Sequence, residues 1–185
     1  MHLRLKSRKL MQIKYFTQDD SYTDVLRQQE QAVADVIDGA NEQIFIGEHS
    51  PMYSLGSSAD IADIINAGSI PLVDTGRGGQ ITYHGPGQLV AYPIMNLAER
   101  DARDIRAYVD MLQNWVVATL AEFDIEGMIT DDVGVWIKTD MGDLAKIAAF
   151  GVRVRKWVTF HGLALNVNCD LTPYPVSYTH LTLPT

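Results

Sequence analysis

The stretch Gly-Arg-Gly-Gly-Gln-Ile-Thr-Tyr-His-Gly-Pro-Gly-Gln-Leu-Val-Ala-Tyr-Pro, from Gly76 to Pro93, constrains this chain more than any other. Five glycines and two prolines fall within its eighteen positions, between two apolar runs. Glycine loses more conformational entropy on folding than any other residue, which is tolerable where backbone turns sharply or approaches a ligand closely. Arg77, Gln80, Thr82, Tyr83, His84 and Gln88 are varied in chemistry rather than Ser/Asn filler, which favours a pocket over a loop that only satisfies its own backbone.

The rest of the chain supplies a scaffold for such a pocket. At 185 residues, 46% hydrophobic and 21% charged, it suits one globular domain with a sizeable core. A net charge of −8 argues against general nucleic-acid binding, and no apolar run is long enough to cross a bilayer. The start is basic (Arg4, Lys6, Arg8, Lys9) without the apolar core of a signal peptide. A lone cysteine, Cys169, excludes an intrachain disulfide framework, so a cytoplasmic protein with a poorly ordered start is expected. His49, His84, His161, His180 and Cys169 lack the paired spacing of a zinc site, so no metal or other cofactor is expected.

Periodicity gives the elements. Gln12 to Phe16 reads as a strand. Ser21 to Asp38 reads as an amphipathic helix carried by Tyr22, Val25, Leu26, Val33, Val36 and Ile37, with Gln29 the polar gap in its stripe and Gly39 its stop. Gln43 to Gly47 is a strand, Glu48 to Gly56 a loop or turn-broken strand, and Asp60 to Asn66 a short helix. Ile70 to Val73 and Gln88 to Met95 are strands entering and leaving the glycine-rich stretch. Ile105, Val109, Leu112, Val116, Leu120 and Phe123 form one stripe of a helix over Asp104 to Phe123, with Asp101 and Asp104 suiting its dipole. Gly134 to Ile137, Ala145 to Val154 and Leu163 to Val167 are β-rich. The order is that of an α/β fold, a mixed central sheet flanked by helices. From Thr172 the Pro- and Thr-rich end suits disorder or an extended strand.

Phosphate-loop, dinucleotide and Gly-x-Ser-x-Gly signatures are absent. Lys146 lies within Leu144-Ala145 and Ile147-Ala148-Ala149, where lost hydration would lower its pKa and make it a usable acid or base. Spacing alone reads it as an edge lysine snorkelling out of a strand, and His161 as a buried imidazole tied to backbone carbonyls.

Three segments together, Arg77 to Pro93 with Gly134-Val135-Trp136, Lys146 to Arg155, and Phe160 to Asn168, resemble the lipoyl(octanoyl) transferases over about Tyr15 to Tyr174. The resemblance implies a fold similar to the biotin/lipoate protein ligase catalytic domain, with residues 1–171 as that domain and 172–185 as a tail foreign to the family. It implies transfer of an octanoyl group from acyl carrier protein to a lysine of lipoyl domains, in 2-oxo acid dehydrogenases or the glycine cleavage H protein, through a cysteine acyl-enzyme. By resemblance, the acyl pocket is lined by Arg77, Gly78, Gly79, Gln80, Ile81, Thr82, Tyr83 and His84, by Ala149, Phe150 and Gly151, and by Gly162, Leu163 and Ala164. Lys146 matches the active-site lysine. The family's nucleophile belongs to a Pro-Cys-Gly segment, where this sequence reads Thr179-His180-Leu181. Cys169 reads as incidental, and the chain as a truncated copy without its nucleophile. The alternatives are a non-catalytic module that binds an acyl group or an acidic carrier protein through Arg153, Arg155 and Lys156, and a lipoate or biotin ligase with a nucleotide site.

Overall fold

A computed structural model describes residues 11–60, 68–100 and 102–173. The basic start, the helix expected from Asp60 onward, Asp101, and the segment containing Thr179-His180-Leu181 lie outside the described residues, Asp60 apart.

The main sheet has seven strands: β1 (Gln12–Phe16), β2 (Gln43–Gly47), β6 (Gln88–Ile94), β10 (Val158–Asn166), β9 (Leu144–Arg155), β8 (Val135–Lys138) and β7 (Met128–Ile129), in that spatial order. The β1–β2 pair is parallel and the other pairs antiparallel, so the sheet is mixed. A two-residue turn at Lys156 and Trp157, both with positive φ, joins β9 to β10. A smaller sheet is formed by β3 (Met52–Leu55), β4 (Leu72–Asp74) and β5 (Thr82–His84), in the order β4-β3-β5.

Each face of the main sheet is covered by one described helix. Helix α1 (Tyr22–Ile37) starts at Ser21, whose hydroxyl accepts the Asp24 amide, and stops before Gly39, where φ is 100°. Its Val25, Val33 and Val36 pack on Phe45, Tyr92, Ile94 and Phe160. Helix α2 (Ile105–Ala121) is capped by Asp104 and packs Leu112, Val116 and Leu120 on Ile44, Val135, Ala148 and Leu165 of the opposite face.

Several boundaries differ from the sequence reading for physical reasons. The ends of the expected α2 stripe are exposed. Ile105 is the first helical residue, and Phe123 lies past the last one, where Asp124 turns the chain with φ 57°. Tyr108 is buried in the stripe instead. The glycine-rich stretch contains β5, which pairs antiparallel with β3, a strand within the segment left open as loop or strand. Strand β10 begins at Val158 rather than Leu163, because His161-Gly162 interrupts the pattern that marks a strand.

Candidate functional site

The register of β9 against β10 builds the floor of a cavity. Gly162 pairs with Gly151 and Ala164 with Ala149, so four small residues share the α1-side face. The alternate pairs, Leu163 with Phe150 and Leu165 with Ala148, point to the α2 side and join that core. The cavity above the floor has a volume of about 50 Å³, with Tyr22 of α1, Tyr92 of β6, Arg77, Thr82, His84 and His161 as its polar walls.

His161 reaches this cavity by breaking the strand. Leu163 pairs with Ala91 and Val158 bridges Asn96, which puts His161 opposite Pro93. Proline has no amide hydrogen to give the ladder, and an interior strand tolerates it only at an irregularity. Here Thr159 bridges the gap, its hydroxyl donating to the Pro93 carbonyl at 2.8 Å and accepting the Met95 amide at 3.0 Å. His161 adopts φ 55°, and its amide leaves the sheet to donate to Gln29 Oε1 of α1 at 3.0 Å. The strand's parity would send the imidazole to the α2 side. Instead its ring stacks on the neighbouring Phe160, centroids 4.9 Å apart, on the α1 side. Burial lowers its pKa to about 4, and neither ring nitrogen has a hydrogen-bond partner among the described residues. Of the backbone groups expected to hold the ring, that of Thr75 faces it, without a hydrogen bond of ordinary geometry.

The opposite wall is held by a directional chain of side chains. Arg77, buried, donates through Nε to Ser54 Oγ at 2.9 Å and through its terminal nitrogens to the carbonyls of Gly78, Ser54 and Gln80. Ser54 Oγ lies 3.3 Å from His84 Nε2, and His84 Nδ1 lies 2.6 Å from Gln88 Oε1. Gln88 Nε2 donates to Asn166 Oδ1 and to the Tyr83 carbonyl. Arginine can only donate and a carbonyl can only accept, so the polarity is fixed throughout. Ser54 donates to His84 Nε2, and His84 carries its proton on Nδ1. Burial, the largest cause, lowers the His84 pKa to about 4, so the ring is neutral at physiological pH.

Lys146 is placed by a β-bulge. Val135 pairs with Ala148 but Trp136 with Lys146, which leaves Ile147 as an extra residue. Unbroken alternation, without the bulge, would put Lys146 on the α2-side face with Ala148. With it Lys146 joins Trp136 and Ala149 on the cavity side, although it is not among the residues lining the cavity. Its Nζ donates to the Val133 carbonyl at 3.1 Å and sits 4.7 Å from the Trp136 ring centre. Burial lowers its pKa. A side chain on Gly134 would collide with the lysine stem. Cys169 lies just beyond β10, its Sγ 3.3 Å from Asn166 Oδ1, and burial raises its thiol pKa, the reverse of an activated thiolate.

Of the residues expected at the site, the structure brings together Arg77, Thr82, His84, Ala149, Phe150, Gly151, Gly162, Leu163 and Ala164 around one cavity. Ile81 and Tyr83 alternate away and pack with Tyr53 in the small sheet's own core. Gly78, Gly79 and Gln80 contribute backbone: Gly78 donates to the Val152 carbonyl, and the Gly79 and Gln80 carbonyls accept Ser58 and Gly56 amides. Tyr22, Tyr92, Ser54, Asn166 and Gln29 are additional. Gln29 stood out in the sequence as the polar gap, while Tyr22, Tyr92 and Asn166 lay within segments already marked without pointing to the site. Among the described residues no group of three His, Cys, Asp or Glu side chains is close enough to hold a metal ion, and no helix is long and apolar enough to cross a membrane.

The family model of the lipoyl protein ligase A/B catalytic domain matches residues 21–181. An octanoyltransferase of Rickettsia prowazekii is 46% identical over 156 residues, 83% of this chain and 75% of the relative. One from Paramagnetospirillum magneticum is 48% identical over 155 residues, 83% and 73% of the two chains. A T. acidophilum protein solved with bound lipoic acid superposes with a TM-score of 0.74 at 16% identity, over 93% of this chain and 75% of that one. Lipoate-protein ligase A bound with ATP gives 0.69 at 16%, over 95% and 76%. At such identities the two solved structures speak for the fold.

Proposed function

We propose, from the premise that this chain belongs to the lipoyl protein ligase A/B catalytic-domain family and to its octanoyltransferases, that it is an acyltransferase of lipoate biosynthesis whose cavity holds an octanoyl group. The donor is the thioester of octanoyl acyl carrier protein, and the acceptor a lysine amine on a lipoyl domain of a 2-oxo acid dehydrogenase or of the glycine cleavage H protein. The reaction takes place in the cytoplasm, where a lone thiol stays reduced. The observation that carries this reading is the floor of Gly151, Gly162, Ala149 and Ala164, small on one face only, beneath a rim of polar side chains. An apolar chain gains by lying against such a floor, while the rim meets its carbonyl end. A space of about 50 Å³ holds a few waters, so the eight-carbon chain must widen the cavity as it enters.

In the full reaction a thiolate attacks the thioester carbon and carrier thiol leaves, giving an acyl-enzyme. The lysine amine then attacks, loses a proton and regenerates the thiol. Lys146, partly desolvated and held on the cavity side, is the residue proposed to take and return the thiol's proton. Cys169 is not proposed as the nucleophile, because its thiol donates to Asn166 and burial opposes its ionisation. With Thr179-His180-Leu181 where the family carries Pro-Cys-Gly, these 185 residues are proposed to bind acyl groups without turning them over. That state coincides with the binding-module alternative, which the Cys169 environment favours.

Intact-mass analysis after incubation with octanoyl acyl carrier protein is the test. No acyl-enzyme is expected from these 185 residues, while the same chain with Pro-Cys-Gly in place of Thr179-His180-Leu181 should octanoylate a lipoyl domain. An octanoyl adduct on Cys169 would overturn the assignment of the nucleophile, and ATP-dependent transfer of free octanoate would replace the transferase reading with a ligase.

A further inference from the structure

Gln29, the polar gap in the α1 stripe, is completely buried, and a buried amide is costly unless both of its ends are bonded. Only one end is. Oε1 accepts the His161 amide, while Nε2 has no partner among the described residues. The other half of the bond is equally unfavourable by itself, since a left-handed φ of 55° strains a non-glycine residue and takes its amide out of the sheet. Two costs that meet at one hydrogen bond, between residues 132 positions apart, call for a reason beyond folding.

The reason is where the imidazole goes. In a regular strand His161 would share a face with Leu163 and Leu165; kinked, it lies with Phe160 and Tyr92 over the cavity floor. Several other polar groups there are already engaged: both His84 nitrogens by Ser54 and Gln88, and the Tyr92 hydroxyl by His49. The His161 ring, only 1% exposed, has both nitrogens unbonded beside Gly162 and Ala164. The Thr75 backbone and Arg77 also face it, and burial keeps it neutral, with one N–H to give.

We infer that His161 is a substrate-contacting residue whose ring N–H donates to the carbonyl oxygen of the bound acyl group, and that Gln29 is the positioning residue that holds its backbone in the conformation that aims it. The inference rests on the acyl-pocket reading and adds to it a recognition element for the thioester carbonyl. A hydrocarbon tail gives the ring nothing to bond; a carbonyl oxygen does.

Titration calorimetry with S-octanoyl-N-acetylcysteamine and with S-octyl-N-acetylcysteamine, which differ only in that carbonyl oxygen, tests it. The wild-type chain should bind the thioester about three- to tenfold more tightly, the range of one net hydrogen bond. His161→Phe and Gln29→Met, checked for folding by thermal melting, should bind both compounds alike, while Gln29→Glu, which keeps an acceptor, should retain the preference. A preference that survives His161→Phe overturns the contact, and one that survives Gln29→Met overturns the positioning role. Equal wild-type affinity for the two compounds overturns the inference and leaves the acyl pocket standing, whereas binding of neither removes both. Should a variant fail to fold, the wild-type His161 ring nitrogen resonances give the answer: they should shift with the thioester and not with the thioether, and identical responses overturn the inference.

Discussion

Strands β9 and β10 lie side by side, and each turns one polar residue onto the cavity face by a different device. In β9 an inserted residue, Ile147, shifts the parity and carries Lys146 with it. In β10 no residue is added; a single left-handed backbone position does the work at His161. The bulge leaves its residue half-buried, bonded to Val133 and resting on Trp136, so it needs no support from another layer. The kink buries its residue, and a helix on top must accept the amide that the sheet loses. Parity can therefore be changed locally at a half-exposed lysine, but at a buried imidazole it requires a partner from a second layer.

Removing each device separates them. Deletion of Ile147 should make the pairing regular with Lys146 still opposite Trp136 on the cavity side, at the cost of the Ile147 side chain buried in the α2-side core; a loss of roughly 2–5 kcal/mol is expected in urea unfolding. Ile147→Ala, which keeps the bulge, should cost about as much, and a far larger cost for the deletion would mean that the bulge itself holds the strand. Gly162→Ala is the comparable break in β10. Its methyl would meet the Ala91 carbonyl and the Pro93 ring, so a cost of about 2–4 kcal/mol is expected. Gly151→Ala, whose methyl meets the Arg77 stem and, less closely, the Gly78 carbonyl, should cost less, and the reverse order of stabilities would contradict this packing.

Acid should act on β10 and spare β9. A buried imidazole with its folded pKa lowered to about 4 binds fewer protons than the unfolded chain between that value and the ordinary 6.5, so stability falls as pH drops through this window. Between pH 7.5 and 5 the His161 share is roughly 2 kcal/mol, and His161→Phe should flatten the profile by that amount. An unchanged profile would show that the imidazole is not held neutral. His49, lowered to about 3, and His84, lowered to about 4, add to the same slope. The smallest effect is on β9: Lys146→Met, which keeps the stem over the Trp136 ring and removes the charge, should cost about 0.5–1 kcal/mol, the range of a half-exposed cation–π contact. A larger loss would mean that the ammonium holds more than the Trp136 ring.

The sequence showed the parts of these strands and neither device. Alternation at Val152 to Arg155 marked β9, but Leu144 to Phe150 is apolar on both sides of Lys146, and an extra residue there leaves no trace. Pro93 lies inside a run that reads as a plain strand, and the residue opposite it follows only from the register of β6 on β10. Gln29 was visible as a gap, while its partner stands far along the chain. The Arg77 wall divides in the same way. Glycines and varied polar residues pointed to a pocket, but which side chains enter it depends on β5, a three-residue strand hidden between turns. Its alternation sends Thr82 and His84 inward and Ile81 and Tyr83 away.

Both devices matter only if the face they serve is the acyl-binding face. Methyl- and ring-selective NMR of the chain with bound S-octanoyl-N-acetylcysteamine reads that directly. Intermolecular contacts from the alkyl chain to the Ala149 and Ala164 methyls and to the His161 ring are expected. Contacts confined to Ala148, Leu165 and Val135 on the α2 side would contradict it.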